Sequence, residues 1–256
     1  FQPRREVMGK LEGRTAVVTG GASGIGQAIC ELFAEEGAEI GIFDLTGNKA
    51  EDLASLLRTK YKRNMAFYHG DVSKLESVSE GFDQLKNSLG HIDILVNCAG
   101  IDNTVYLEDM ELSVWNRMLE VHLTGTFLCT KQVLTSMRTA HWGRIINFSS
   151  QLAHKGAPSM VHYCTAKAGI IGFTRALAYE LGDSGVTVNC INPGPVETPL
   201  LQALPETWLQ NKKSEIPLKR FGQVSEVAPT AVLLASDGGG YYMGASMNMN
   251  GGDYMI

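Results

Sequence analysis

Ser150, Tyr163 and Lys167 are the residues of this chain whose types and spacing could carry proton-transfer chemistry. Tyr163 and Lys167 stand at i and i+4 in Tyr-Cys-Thr-Ala-Lys-Ala-Gly-Ile-Ile-Gly, a stretch that reads as a helix. That spacing puts both side chains on one face, one turn apart. An ammonium beside a phenol favours the phenolate. To serve near neutrality, a tyrosine pKa of about 10 must fall by roughly three units, about 4 kcal/mol of differential stabilisation. A Tyr–Lys pair at this spacing also arises by chance, so its weight rests on the elements that position it. Ser149 and Ser150 follow a strand, where neighbours face opposite sides and only one can serve; the thirteen residues between Ser150 and Tyr163 favour Ser150.

Those elements begin with Arg14-Thr-Ala-Val-Val-Thr19, a β-branched run with the look of a buried strand. It leads into Gly20-Gly-Ala-Ser-Gly-Ile-Gly26 and then into helical spacing to Glu36. Strand, glycine turn and helix in that order predict a βαβ opening whose backbone N–H groups hold a pyrophosphate, with an ordinary tight turn as the other reading. A second strand ends at Asp44, twenty residues after Gly24. A carboxylate there accepts hydrogen bonds from ribose hydroxyls and repels a 2′-phosphate, which predicts NAD (NADH) over NADP. Strands are predicted near 14–19, 39–43, 64–69, 92–97, 143–149, 186–192 and 245–249, with helices between them. The fold class is therefore α/β: a single-domain Rossmann fold with a doubly wound parallel seven-stranded sheet and helices on both faces. The domain spans 10–256. Residues 1–9 form an extension whose Phe1-Gln2 reads as a tag remnant, with Met8 a plausible start.

In its motifs the chain resembles the short-chain dehydrogenase/reductase (SDR) family over about residues 10 to 252, and within it the 3-oxoacyl-acyl-carrier-protein reductase-like group. Thr19 to Gly26 resembles the family's cofactor turn, Gly70-Asp71-Val72 its adenine segment, and Asn97-Cys98-Ala99-Gly100 its motif after strand four. Asn192-Pro193-Gly194-Pro-Val-Glu-Thr198 resembles the nicotinamide-side loop. The resemblance implies catalysis by Ser150, Tyr163 and Lys167, with Lys167 lowering the Tyr163 pKa and holding the nicotinamide ribose. It implies cofactor contacts from Gly20, Ser23, Gly24, Ile25, Gly26, Asp44, Leu45, Asp71, Val72, Asn97, Ala99, Gly100, Tyr163, Lys167, Pro193, Gly194, Val196 and Thr198. Asp71 has the alternative of capping the next helix, and Asn97 that of forming a turn. Residues 199–223 correspond to a substrate lid or else a surface connection; Leu200, Leu201, Leu204 and Trp208 have the spacing to cover an apolar substrate. A homotetramer or homodimer is implied too.

Three features depart from the family or extend it. His122 stands where the family carries an asparagine that kinks a helix and holds a water. It either takes over that relay, adding a titration near pH 6.5, or packs in the helix. Asn250-Gly-Gly replaces the usual Asp-Gly-Gly. Gln151 and His154, just after Ser150, are placed in the substrate pocket with Ser150 and Tyr163.

Composition narrows the classes. A net charge of −5 and a pI near 5.7 disfavour nucleic acid as a partner. No apolar run reaches the ~20 residues of a membrane span, and the five cysteines are scattered, which places reduced thiols in the cytoplasm. The histidines lack ligand spacing, so no metal is assigned. The expected activity is transfer of a hydride between NAD(H) and a secondary alcohol or ketone. A 3-oxoacyl-thioester reductase and a weakened dinucleotide-binding scaffold are the alternatives.

Overall fold

Seven apolar or β-branched runs set the frame: β1 (Thr15–Thr19), β2 (Glu39–Asp44), β3 (Met65–His69), β4 (Ile94–Asn97), β5 (Gly143–Phe148), β6 (Val186–Pro193) and β7 (Ser246–Met249). In the computed structural model, which describes residues 9–255, they form one parallel sheet in the order β3-β2-β1-β4-β5-β6-β7. Phe1, Gln2 and Met8, on which the tag and start expectations fall, lie outside the described residues.

Helices fill the crossovers: α1 (Gly24–Glu35), α2 (Gly47–Tyr61), α3 (Leu75–Leu89), α4 (Leu112–Leu119), α5 (Gly125–Thr139), α6 (Leu152–Lys155), α7 (Val161–Leu181), α8 (Pro199–Gln202), α9 (Glu206–Glu215) and α10 (Val224–Ala235). Side chains alternate across the sheet, so each strand feeds two cores. Ala16, Val18, Ile94, Val96 and Ile146 face Phe33, Leu57 and Val232 of α1, α2 and α10. Val17, Leu95 and Ile145 face Phe82, Val133 and Leu181 of α3, α5 and α7. Fully buried Phe82 stands for many such contacts, and its truncation to alanine costs about 3–5 kcal/mol.

Sheet order reverses between β1 and β4, and the crevice outside their carboxyl ends is where such sheets take ligands. The elements around it have defined starts. Thr198 accepts the Leu201 N–H at 3.3 Å to cap α8, and Gln223 and Glu226 form a reciprocal capping box at α10.

Candidate active site

β1 ends in Thr19, whose hydroxyl oxygen accepts the Cys98 and Ala99 N–H groups at 3.2 Å each. This bond joins the carboxyl ends of β1 and β4 over the crevice. Gly20 has φ +66°, and a Cβ there would lie 2.7 Å from the Ala99 Cα. A Cβ on Gly26 would lie 2.1 Å from the Gly20 carbonyl oxygen. Side chains are thus barred, and the backbone curves around an open cradle with the first-turn N–H groups of α1 at its rim. The buried Asp44 carboxylate accepts the Ala22 N–H at 2.9 Å and the Thr46 N–H at 2.8 Å, fixing the turn to the end of β2.

Gly20, Ser23, Gly24, Ile25, Gly26, Asp44, Leu45, Asp71, Val72, Ala99, Gly100, Pro193, Gly194, Val196 and Thr198 line a single cleft of about 570 Å³ together with Ser150, Tyr163 and Lys167. A cradle that one methyl group would fill, a helix start and a carboxylate beyond it fit a dinucleotide.

Two expected contacts differ in detail. Asn97 does not line the cleft: its amide donates to Thr130 Oγ1 at 3.2 Å and Asn147 Oδ1 at 2.9 Å inside the second core. Its side chain braces β4 against β5, because the pleat turns it inward. Asp71 does not cap α3, whose capping position is Lys74. It accepts the Ser73 N–H at 2.9 Å and pairs with Arg117 at 3.1 Å. Burial would raise its carboxyl, and the Ser73 and Arg117 donors outweigh this and hold it low.

At the other end of the cleft Tyr163, in the first turn of α7, faces Ser150 beyond β5. Ser150 Oγ accepts the Leu152 N–H at 3.1 Å, leaving its proton free to donate, and its hydroxyl near the phenol favours the phenolate. Ser149 also borders the cleft, but its hydroxyl donates to the Lys167 carbonyl at 2.7 Å, whereas the Ser150 proton is not taken up in this way. Lys167 Nζ lies 5.6 Å from the Tyr163 ring centroid and donates to the Phe148 carbonyl at 2.8 Å. The expected lowering of the phenol by this lysine is not what the geometry gives. Burial, followed by the Asp102 charge, raises the Tyr163 pKa, and burial brings Lys167 down to about 8. A lysine charged at neutrality therefore sits beside a neutral phenol.

His122 lies in a widened π turn, Glu120–Thr124, that joins α4 to α5. Its Nε2 is 2.8 Å from the Ile101 carbonyl oxygen and 3.2 Å from the Ile101 N–H, so the ring tautomer sets which of the two it meets, and the buried Nδ1 has no protein partner. Its ring meets Tyr163 edge-on, centroids 5.4 Å apart. Burial and then the Lys167 charge push its pKa well below 6.5, which favours a neutral ring over the titrating alternative.

Gln151 and His154 do not line the cleft. Gln151 donates to Asp253, and His154 stacks on Tyr254 at 6.0 Å and 12°, so both turn toward the carboxyl-terminal segment. Asp253, with a side chain 2% exposed, also takes Lys155 at 3.0 Å and Lys212 of α9 at 2.7 Å. Leu200, Leu201 and Leu204 line the cleft, whereas Trp208 faces outward and is 43% exposed. Helical spacing states that four residues share a face without saying which way it looks. Asp102 and Arg117, which the motifs did not single out, also line the cleft. Asp102 lies two residues past the Asn-Cys-Ala-Gly motif, a signal in the sequence; Arg117 had none. Among the described residues, no group of three or more His, Cys, Asp or Glu side chains gathers to hold a metal, and no helix is long and apolar enough to cross a membrane.

A family model described as enoyl-(acyl carrier protein) reductase matches residues 20–253. The 3-oxoacyl-[acyl-carrier-protein] reductase FabG of Aquifex aeolicus is 40% identical over 243 residues, covering 95% of this chain and 98% of that protein. The acetoacetyl-CoA reductase of Cupriavidus necator is 36% identical over 94% of this chain and 98% of its own length. Among solved structures, a provisionally assigned short-chain alcohol dehydrogenase from Sinorhizobium meliloti superposes with a TM-score of 0.90 at 33% identity, covering 95% of this chain and 97% of that one.

Proposed function

Since the chain belongs to the short-chain dehydrogenase/reductase family and is an oxidoreductase of the alcohol/carbonyl pair, we propose that it is an NAD(H)-dependent dehydrogenase of secondary alcohols with Tyr163 as acid and base. The observation that carries this reading is the single cleft running from the glycine cradle and Asp44 to Ser150, Tyr163 and Lys167. Bound along it, the nicotinamide supplies or accepts the hydride. The remaining steps belong to the chain. Ser150 donates to the substrate oxygen and fixes its position, stabilising the charge that develops there. Tyr163 gives its proton to that oxygen in reduction and takes it back in oxidation. Lys167, positively charged below pH 8 and held by the Phe148 carbonyl, stabilises the phenolate as it forms. Asp44 selects the coenzyme by accepting ribose hydroxyls and repelling a phosphate.

Reduction of a 3-oxoacyl thioester is the second reading, favoured by the similarity to the Aquifex and Cupriavidus enzymes. Against docking of an acidic carrier protein at the lid, Lys212 is taken up by Asp253, and Arg220 by Glu226 at 2.6 Å. Initial rates at 340 nm with NAD and NADP, each offered against secondary alcohols, diols, ketones and acetoacetyl thioesters, test the assignment. The expected result is kcat/KM at least tenfold higher with NAD and turnover of alcohols. A preference for NADPH with acetoacetyl thioesters overturns it. Tyr163→Phe is expected to lower kcat by about 10² to 10⁴, with NADH binding by fluorescence titration retained.

A further inference from the structure

Asp102 is the acidic side chain that faces the reacting end of the cleft, and its loop is held on both sides. His122 Nε2 meets the Ile101 backbone, 2.8 Å from its carbonyl oxygen and 3.2 Å from its N–H, Asn103 Oδ1 meets His162 Nε2 at 2.5 Å, and the Val105 N–H donates to the Ser159 carbonyl at 2.9 Å. Both histidines are buried, at 2% and 0% exposure, so the loop is fixed to the π turn on one side and to the first turn of α7 on the other. Between these anchors Asp102 presents its carboxylate to the cleft. Asp102 is exposed along the cleft with the Asn103 backbone beside its carboxylate, and among the described residues no side chain donates to it. It acts on the reacting groups: its charge raises the Tyr163 phenol, second only to burial, and supports the positive charge on Lys167.

A carboxylate held in this way beside the general acid has acceptor capacity to spare. A substrate hydroxyl one or two carbons from the reacting carbon is the donor that satisfies it without adding charge. A substrate ammonium would meet the Lys167 cation, and a substrate carboxylate or phosphate would meet Asp102 itself. The lid contributes Leu200, Leu201 and Leu204, so the polar anchor for such a hydroxyl is on the Asp102 side. Resting on the dehydrogenase reading above, we propose that Asp102 is a specificity-determining residue that selects neutral hydroxylated substrates, diols and hydroxyketones, by accepting their second hydroxyl. Charged hydrogen bonds of this kind discriminate by about ten- to a hundredfold.

Matched pairs test the proposal on the full chain with NAD: 2,3-butanediol against 2-butanol, and 1,2-cyclohexanediol against cyclohexanol. Rates are compared on the plateau of each pH profile, because removing Asp102 also lowers the Tyr163 pKa. The wild type is expected to favour each diol by tenfold or more in kcat/KM. Asp102→Ala should lose that preference: the ratio of diol to mono-alcohol kcat/KM should fall ten- to a hundredfold, beyond any change common to both that follows from the altered Tyr163 and Lys167. Asp102→Asn, which keeps an acceptor oxygen but no charge, should lie between them. Thermal melts that match the wild type exclude misfolding as the cause. Equal wild-type rates on diol and mono-alcohol, or an Asp102→Ala variant that lowers both alike, overturn the assignment while leaving the dehydrogenase reading intact. A wild type that oxidises neither alcohol and reduces neither ketone removes that reading, and this assignment falls with it.

Discussion

Lys167 carries a charge its surroundings resist. Burial brings its pKa to about 8 from an ordinary 10.5. The unfolded chain therefore holds the proton more tightly between pH 8 and 10.5, so stability rises with pH across that window and the full penalty is present below it. Two to three units correspond to about 3 kcal/mol, offset in part by the Phe148 hydrogen bond. Lys167→Met is thus expected to abolish turnover and raise Tm by several degrees, read by activity and calorimetry. His122 has the same sign with a different window. Its pKa lies well below 6.5, so its contribution is complete above pH 6.5 and is lost as pH falls below it. His122→Asn should reduce acid sensitivity in unfolding titrations from pH 6.5 to 4.5, while leaving the pH–rate profile between 6 and 8 unchanged. A lost inflection near 6.5 would refute the neutral ring. At this scale the sequence showed Ser150, Tyr163 and Lys167, because i and i+4 fix a shared helix face. It could not show that the Lys167 amine turns to a carbonyl or that the Asn97 amide points inward, since both depend on partners distant in the chain.

The elements were the most legible part of the molecule. Inner parallel strands buried on both faces are apolar runs, and all seven strands, the partly exposed edges β3 and β7 included, appear within a residue or two of their expected bounds. The glycine turn was legible for a related reason: steric exclusion acts on the glycines themselves. Gly26→Ala tests it. The added methyl would sit 2.1 Å from a backbone oxygen that cannot rotate away, so NADH affinity is expected to fall by more than tenfold and Tm to drop by several degrees. Unchanged NADH titrations would remove the turn from the binding site. The lid and the segment after Ser150 were harder to read. The outward Trp208 and the inward Gln151 follow from packing against the carboxyl-terminal segment, which leaves no periodic trace.

In the whole molecule, Asp253 joins segments that are far apart in sequence. Burial would raise this carboxyl, and Lys212, Lys155 and Gln151 outweigh it, holding it below its usual range. Removing one partner of a buried ionic cluster costs about 3–5 kcal/mol. Asp253→Ala leaves Lys155 and Lys212 facing each other, so it is expected to lower Tm markedly and raise KM for substrate several-fold, with KM for NAD little changed. Equal changes in both constants would show that the cluster does not act through α9. A pull on the Asp253 segment would be felt at once by α9 and by the stretch following Ser150, and rates measured under such strain would report the junction as well as the chemistry.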